Sequence, residues 1–304
     1  MNWMKPRCYG KIWWIVLSKY LEQHKFMYSF QAKHYASYQD VPAPILSAFM
    51  EQSVLTETIR VNNGQLLFWE EHYLRLMASM RILRMEIPMT FTLAYLENQL
   101  LEYCTKVHTA TFNGVVKIHV VAAAKPTANL PIPASLFSVS AEKGSGNFSY
   151  KYDTHPIDLY KDHYQSSGLF SSLESVHAQW RNMAWVYVHE NSLSDGIVLN
   201  EDKQLVESLR GTLFLVKGNT ISTPSLASGC RKTVYRTLLT SLLSESDEFE
   251  LLEEEISPFS IQKADELFVL AGVEGMYSVG QYRKKSFNNE QTKKILALLL
   301  NKLS

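Results

Sequence analysis

Residues 204–236 bring a carboxylate, a hairpin and the start of a helix into one short stretch of the chain, in an order that could bind an anion. A strand is predicted to end at Glu207, and a hairpin with a glycine-containing turn to follow it. A helix is then predicted to start near Arg231. Its first amides, around Thr233 and Val234, could face an anion, because a helix N-terminus carries partial positive charge and unpaired N–H groups.

The amino-acid composition limits the classes of function that this protein could have. The chain has 304 residues, of which 46% are hydrophobic, and its 30 basic and 30 acidic residues give a formal net charge of +0. A balanced charge argues against nucleic acid or an anionic membrane as the main partner. The 3 cysteines are widely spaced and odd in number, which argues against a disulfide framework and favours a cytoplasmic protein. We predict no metal site.

The elements that must position these groups divide the chain into two predicted domains, as its length also indicates. Residues 54–61, an Asn-Gly turn and a short apolar run predict a hairpin, and helical periods follow it. A small α+β domain is therefore predicted over residues 28–140. The segment 141–168 is rich in Gly, Ser and Tyr without a clear period, and we interpret it as an interdomain connection. Residues 169–304 are predicted to form a larger α/β domain.

Two motifs of the smaller domain occur in a recognisable order. Glu57-Thr58-Ile59-Arg60 lies on the first predicted strand, and His72-Tyr73-Leu74-Arg75-Leu76 opens the helix after the hairpin. Together with Glu207 and Thr223-Pro224, these motifs resemble the class IV aminotransferases. They are the fold-type IV enzymes of pyridoxal phosphate (PLP), and they include branched-chain and D-amino-acid aminotransferases and aminodeoxychorismate lyase. The resemblance implies a two-domain, D-amino-acid aminotransferase-like fold of the α+β / α/β class, a cleft between the domains, and a homodimer.

The resemblance also implies roles for several residues toward the cofactor. Arg75 would hold its phosphate, for which a guanidinium is well suited. Glu207 would contact the pyridine nitrogen and keep it protonated. Where the family has hydroxyl side chains for the phosphate, Leu270 and Ala271 offer only backbone amides. The cofactor-binding residues implied in this way are Arg75, Glu207, Thr233, Val234, Leu270 and Ala271.

The lysine that forms the Schiff base with PLP is the decisive position. The family places this lysine in a Ser-x-Leu-Lys motif, and the corresponding run here is Ser171-Ser172-Leu173-Glu174. From this run the chain aligns with the family without a gap as far as Asn200, and Glu207 follows on the next predicted strand. A carboxylate cannot condense with an aldehyde to form an imine, so Glu174 predicts a catalytically inactive member of the family. PLP would bind non-covalently at best, and the partner could be another small phosphorylated or carboxylated molecule or a protein.

Two alternatives remain open. Lys161 could replace the missing lysine if the alignment shifted into the predicted connection. The chain would then be an active PLP-dependent aminotransferase, acting on branched-chain or other amino acids, or an aminodeoxychorismate lyase. In the second alternative, Glu174 acts as a proton-transfer carboxylate without PLP.

The first residues precede the resemblance. Residues 1–27 contain the apolar run Trp13-Trp14-Ile15-Val16-Leu17, which is too short for a signal peptide or a membrane span. We interpret them as an N-terminal extension, which could be foreign to the native protein if Met27 is its true start.

Overall fold

Two β-sheets, of six and nine strands, form the framework of the chain. The structure is a computed structural model, and it confirms the mixed α+β class that the sequence predicts. The extension predicted over residues 1–27 lies outside the part of the chain that the structure describes. The described ranges are 28–52, 54–108, 111–124, 134–144, 148–174 and 179–303.

The first sheet is antiparallel throughout. Alternate residues of its central strand over residues 114–122, namely Val116, Ile118 and Val120, are fully buried, as a strand with one face on the core requires. The strands in chain order are β1 (Tyr28–Phe30), β2 (Lys33–Tyr35), β3 (Leu55–Asn62), β4 (Gln65–Leu66), β5 (Gly114–Ala122) and β6 (Ser135–Lys143). Their order across the sheet is β2-β1-β6-β5-β3-β4.

Three helices accompany this sheet. They are α1 (Ala43–Glu51), α2 (Trp69–Ile82) and α3 (Leu93–Val107). The side chains of Leu76 and Met80 on α2 and of Leu96 and Leu100 on α3 are fully buried in one cluster with the strands. Helix α2, which carries the His-x-x-Arg motif, is therefore fixed against the first sheet by its apolar face.

The second sheet is mixed. Its β11–β12, β14–β7 and β7–β8 pairs are parallel, and the others are antiparallel. The order is β12-β11-β10-β13-β14-β7-β8-β9, with β15 on β14. These strands are β7 (Ser149–Gln165), β8 (Asp195–Asn200), β9 (Leu205–Ser208), β10 (Thr212–Lys217), β11 (Thr220–Pro224), β12 (Glu250–Glu254), β13 (Glu266–Leu270), β14 (Gly275–Tyr282) and β15 (Lys285–Ser286).

Both faces of the second sheet are buried. On β10, Leu213 and Leu215 enter one apolar cluster, whereas Phe214 and Val216 enter another on the opposite face. The helices of this half of the chain are α4 (Gln179–Glu190), α5 (Val234–Ser244), α6 (Ser260–Lys263) and α7 (Glu290–Leu303). Among the described residues, no helix is long and apolar enough to cross a membrane.

The segment 141–168, which we interpret from the sequence as an interdomain connection, contains regular structure. Most of it forms β7, a strand of 17 residues that pairs with β14 and with β8. The chain passes from the first sheet to the second between Lys143, where β6 ends, and Ser149, where β7 begins. Residues on β7 alternate irregularly between buried and exposed positions, so the strand lacks the period that would identify it in the sequence. The division into domains itself stays a prediction.

A half-buried histidine makes the stability of the first sheet sensitive to acid. His119 Nδ1 lies 2.9 Å from Thr56 Oγ1, and burial, assisted by Lys117, lowers the pKa of His119 to about 4. The unfolded chain takes up a proton on this group near pH 6.5, whereas the folded chain does so only near pH 4. The folded state therefore loses stability as the pH falls from 6.5 to 4.

We predict that His119→Gln flattens this dependence. The free energy of unfolding, measured by urea titration at pH 7, 6 and 5, should fall less steeply with acid in the variant than in the wild type, because its side chain does not titrate. His155→Gln is the matched control, since that side chain is 74% exposed. Equal slopes for wild type and His119→Gln would contradict the prediction.

Candidate active site

A cavity of about 150 Å³ lies where β3 and α2 of the first sheet meet the loops around α5 and β13 of the second. Residues from distant parts of the chain line it, so it exists only once both sheets have packed. Six of the residues predicted for the site are among them: Arg75, Glu174, Thr233, Val234, Leu270 and Ala271.

The other two predicted residues lie outside the lining. Glu207 is on β9, with 3% of its surface exposed, and reaches the cavity only through Arg231, which lines it. Lys161 is exposed on β7, where the register to β8 shifts between Tyr160 and Tyr164. The structure therefore brings Glu174 and Glu207 together and leaves Lys161 apart from them.

Arg231 joins the two carboxylates. Its Nε donates to Glu207 Oε2 at 3.0 Å and Oε1 at 3.2 Å, and its Nη1 donates to Glu174 Oε1 at 2.8 Å and Oε2 at 2.9 Å. Arg181 Nη2 also donates to Glu207 Oε1. Two acids and two bases thus form one cluster, which we call the four-charge network. Its members are Glu174, Arg181, Glu207 and Arg231.

The network keeps its buried groups charged. Burial alone would raise the pKa of the Glu207 carboxyl, but the guanidinium groups of Arg231 and Arg181 outweigh it and hold that pKa below its usual range. Burial would likewise lower the pKa of Arg231, but the carboxylates of Glu174 and Glu207 raise it. Glu207 is therefore a carboxylate, and not a neutral acid, at neutral pH.

Backbone geometry places Arg231 at this point. Gly229 has φ 101° and lies against the end of β7, where a Cβ would come within 3.2 Å of Ser167 Cα. Glycine tolerates this left-handed, crowded position. Cys230 follows, buried, and its Sγ donates to the carbonyl oxygens of Pro224 and Ser225. Burial raises the pKa of the Cys230 thiol to about 11, so this cysteine is not a nucleophile at neutral pH.

Arg75 forms a second compensated cluster on the opposite wall. Its Nη2 donates to Glu57 Oε2 at 2.8 Å, and its Nη1 donates to the carbonyl oxygen of Lys232 at 3.3 Å. His72 Nδ1 lies 2.8 Å from the same Glu57 oxygen. The guanidinium predicted to hold a phosphate is therefore engaged with Glu57 and with the loop that leads into α5.

The N-terminus of α5 faces the cavity. Thr233 caps it by accepting from Arg236 N, which leaves the amides of Val234 and Tyr235 without partners within the helix. On the other side, the Ala271 amide donates to Gly275 O at 2.8 Å, so this predicted backbone donor is already used. Among the predicted anion donors, the first turn of α5 is thus better placed than the turn after β13.

Comparisons with known proteins identify the fold and the family. The family model of class IV amino-transferases matches residues 54–282, most of the chain. The chain belongs to this family. A comparison with curated proteins gives no match.

Solved structures of class IV aminotransferases and related lyases share the fold. The 4-amino-4-deoxychorismate lyase from Pseudomonas aeruginosa is 18% identical, with a TM-score of 0.74 over 91% of this chain and 99% of that one. The branched-chain amino acid aminotransferase from Escherichia coli is 14% identical, with a TM-score of 0.75 over 90% and 93%. An aminotransferase from Brucella abortus, solved with PLP, is 14% identical, with a TM-score of 0.73 over 90% and 98%.

PLP is the cofactor of class IV aminotransferases, and the residues of this cavity do not suit it. None of the described residues that line the cavity is a lysine. Glu207, which would serve the pyridine nitrogen, already accepts from two guanidinium groups. The volume of about 150 Å³ is also below the roughly 300 Å³ at which small-molecule sites usually begin.

Arg181 and Arg231 are the site residues that sequence reasoning missed. From the sequence, Arg231 is placed only at the start of a predicted helix, and Arg181 has no predicted role. One signal was available, since Arg181 lies about two helical turns beyond Glu174 and could therefore share its face. No comparable signal connects Arg231 with Glu174, because their contact exists only in the folded chain.

We predict that Arg231→Met lowers the free energy of unfolding by about 3–5 kcal/mol, because it leaves two carboxylates with one cation. Glu174→Gln should cost only about 1 kcal/mol, since Arg231 keeps its contact with Glu207 and Glu174 is partly exposed. The measurement is urea denaturation at pH 7, with Lys232→Met as an exposed, adjacent control. Equal losses for Arg231→Met and Lys232→Met would show that the network does not stabilise the fold.

Proposed function

We propose that this chain is a class IV aminotransferase-fold protein that does not carry out Schiff-base chemistry. In this proposal its cavity binds a small phosphorylated or carboxylated molecule without covalent attachment. The observation that carries the proposal is the contact of Glu174 with Arg231, which connects the position aligned with the family's lysine to Glu207.

The chemistry of the lining supports the loss of catalysis. Imine formation needs a neutral amine beside the carbonyl carbon of the cofactor. The described lining offers guanidinium groups, an imidazole and carboxylates but no such amine. Lys161, which an active enzyme would have to recruit, is exposed and is not part of the lining. This arrangement supports the inactive protein over an active aminotransferase or lyase.

Three features support an anionic ligand. The first-turn amides of α5 face the cavity, and a helix N-terminus attracts negative charge. Arg210 lines the same cavity, and its guanidinium lies 4.8 Å from the ring centroid of Tyr277, which orients it. The small volume favours a molecule of few heavy atoms, with a carboxylate or phosphate as its main feature.

The oligomeric state and the location that we propose rest on the family resemblance and on the composition. We propose a homodimer, as the resemblance implies. We also propose a cytoplasmic location, supported by 3 cysteines that suit a reducing compartment.

We predict that purified protein forms no specific imine with PLP. After incubation with equimolar PLP and reduction with borohydride, intact-mass spectrometry should show no stoichiometric adduct, because no lysine is among the described residues that line the cavity. Any adduct should be substoichiometric, spread over exposed lysines, and unchanged in Lys161→Ala. A stoichiometric adduct that disappears in Lys161→Ala would contradict the inactive assignment and support the active enzyme.

We predict that inorganic phosphate binds to the cavity and that Arg210→Met weakens its binding about tenfold, the effect of one charge-assisted contact. Isothermal titration calorimetry measures the affinity. Arg283→Met is the matched control, since Arg283 also lies over a tyrosine ring but does not line the cavity. Equal affinities for the two variants would exclude Arg210 from the ligand site.

A further inference from the structure

We propose that Arg231 determines which ligands the cavity accepts, by excluding any cationic or aromatic nitrogen from Glu207. The inference rests on the proposed function, because it explains why this member of the family would not hold a pyridine ring. The contacts of this side chain are defined in the structure, and none of the features described above gives it a role in ligand selection.

Glu207 has no acceptor capacity left for a ligand. A carboxylate offers about four lone-pair directions. Arg231 Nε contacts both oxygens, the Arg231 amide donates to Oε2 at 3.4 Å, and Arg181 Nη2 donates to Oε1. A ring N–H could reach Glu207 only by displacing one of these donors.

Arg231 also cannot be displaced without affecting Glu174. The same guanidinium that covers Glu207 also donates to both oxygens of Glu174. Moving it aside would leave both acids with Arg181 as the only remaining base of the network. The contact with Glu174 therefore holds Arg231 over Glu207, and the side chain occupies space that a flat ring would need.

The balance of charge around Glu207 predicts that substitutions at positions 174 and 231 act together. Glu174→Lys alone would place three cations around Glu207, so the new side chain would be repelled by Arg231 and kept away from that carboxylate. Arg231→Leu alone would leave two acids with one base. Glu174→Gln combined with Arg231→Leu leaves Glu207 paired with Arg181 only, which is a compensated pair with an open acceptor. Glu174→Lys combined with Arg231→Leu adds an amine beside that acceptor.

The non-covalent test uses pyridoxamine 5′-phosphate, which has no aldehyde and therefore binds without reacting with lysine. Its affinity is measured by fluorescence titration for wild type, Glu174→Gln, and Glu174→Gln/Arg231→Leu. We expect the double variant to bind at least tenfold more tightly than Glu174→Gln. Equal affinities in these two variants, with both folded by circular dichroism, would overturn the proposal.

The covalent test compares Glu174→Lys with Glu174→Lys/Arg231→Leu in the presence of PLP. The amine introduced at position 174 condenses with the aldehyde and releases water, and borohydride then reduces the C=N bond to a stable amine. Peptide mapping should find a stoichiometric adduct at position 174 in the double variant only. An equal adduct in Glu174→Lys alone would show that Arg231 is no obstacle.

An alternative variant and a separate readout on the wild type allow each outcome of these tests to be interpreted. Arg231→Met replaces Arg231→Leu wherever the latter does not fold, because its longer, flexible side chain fills more of the space that the guanidinium leaves. A stoichiometric imine in the wild-type protein would refute the proposed function, independently of the role of Arg231. If wild type forms none and the double variants also gain nothing, only the role of Arg231 is refuted.

Discussion

The need to neutralise buried carboxylates shapes this site more than any other constraint. An isolated ionised carboxylate costs several kcal/mol when it leaves water, so each buried acid needs a base or hydrogen-bond donors within reach. Glu207 and Glu174 obtain theirs from Arg231 and Arg181. On the facing wall Glu57 obtains its own from Arg75, with His72 beside it. The cavity therefore lies between two clusters that are already compensated. Its main donors toward a ligand are the first turn of α5 and Arg210, although Nε and Nη2 of Arg210 already donate to the carbonyl oxygen of Ser194.

Much of the fold is stabilised by apolar clusters that do not include these charged groups. The two faces of the second sheet carry separate apolar clusters, and the first sheet carries a third with α2 and α3. Burial of this apolar surface stabilises the scaffold whatever occupies the junction. A family can thus keep its architecture while the side chains at the centre change, and sequence identities of 14–18% to solved enzymes are compatible with TM-scores of 0.74–0.75.

Local chemistry predicted part of the fold well. The hairpin after residue 54 is present as β3 and β4, because an Asn-Gly turn specifies it without help from distant residues. The helix predicted near Arg231 starts at Val234 instead, since Thr233 provides the cap. Strand β7 was missed because its exposure changes along its length and a register shift interrupts its pairing with β8.

The site could be predicted from the sequence only where the resemblance aligned its residues with those of the family. The alignment assigned Glu174, Arg75 and the start of α5 to one site, and in the structure all three line the same cavity. Their roles there stay predictions. The alignment could not foresee that Arg231 would bridge Glu174 and Glu207, because the contact joins three segments that are distant along the chain. Pair interactions of this kind arise from tertiary packing and leave no periodic pattern in a single sequence.

Strand β7 has a consequence for how the polypeptide emerges from the ribosome. It lies between β14 and β8, and Tyr150 on β7 contacts Ser278 on β14, 128 positions later. The first sheet can close once Lys143 has been synthesised, whereas one edge of β7 stays open until Tyr282 has left the exit tunnel. Such an open edge is a template for mispairing. The nascent second half therefore exposes an unpaired strand edge for longer than the first half does.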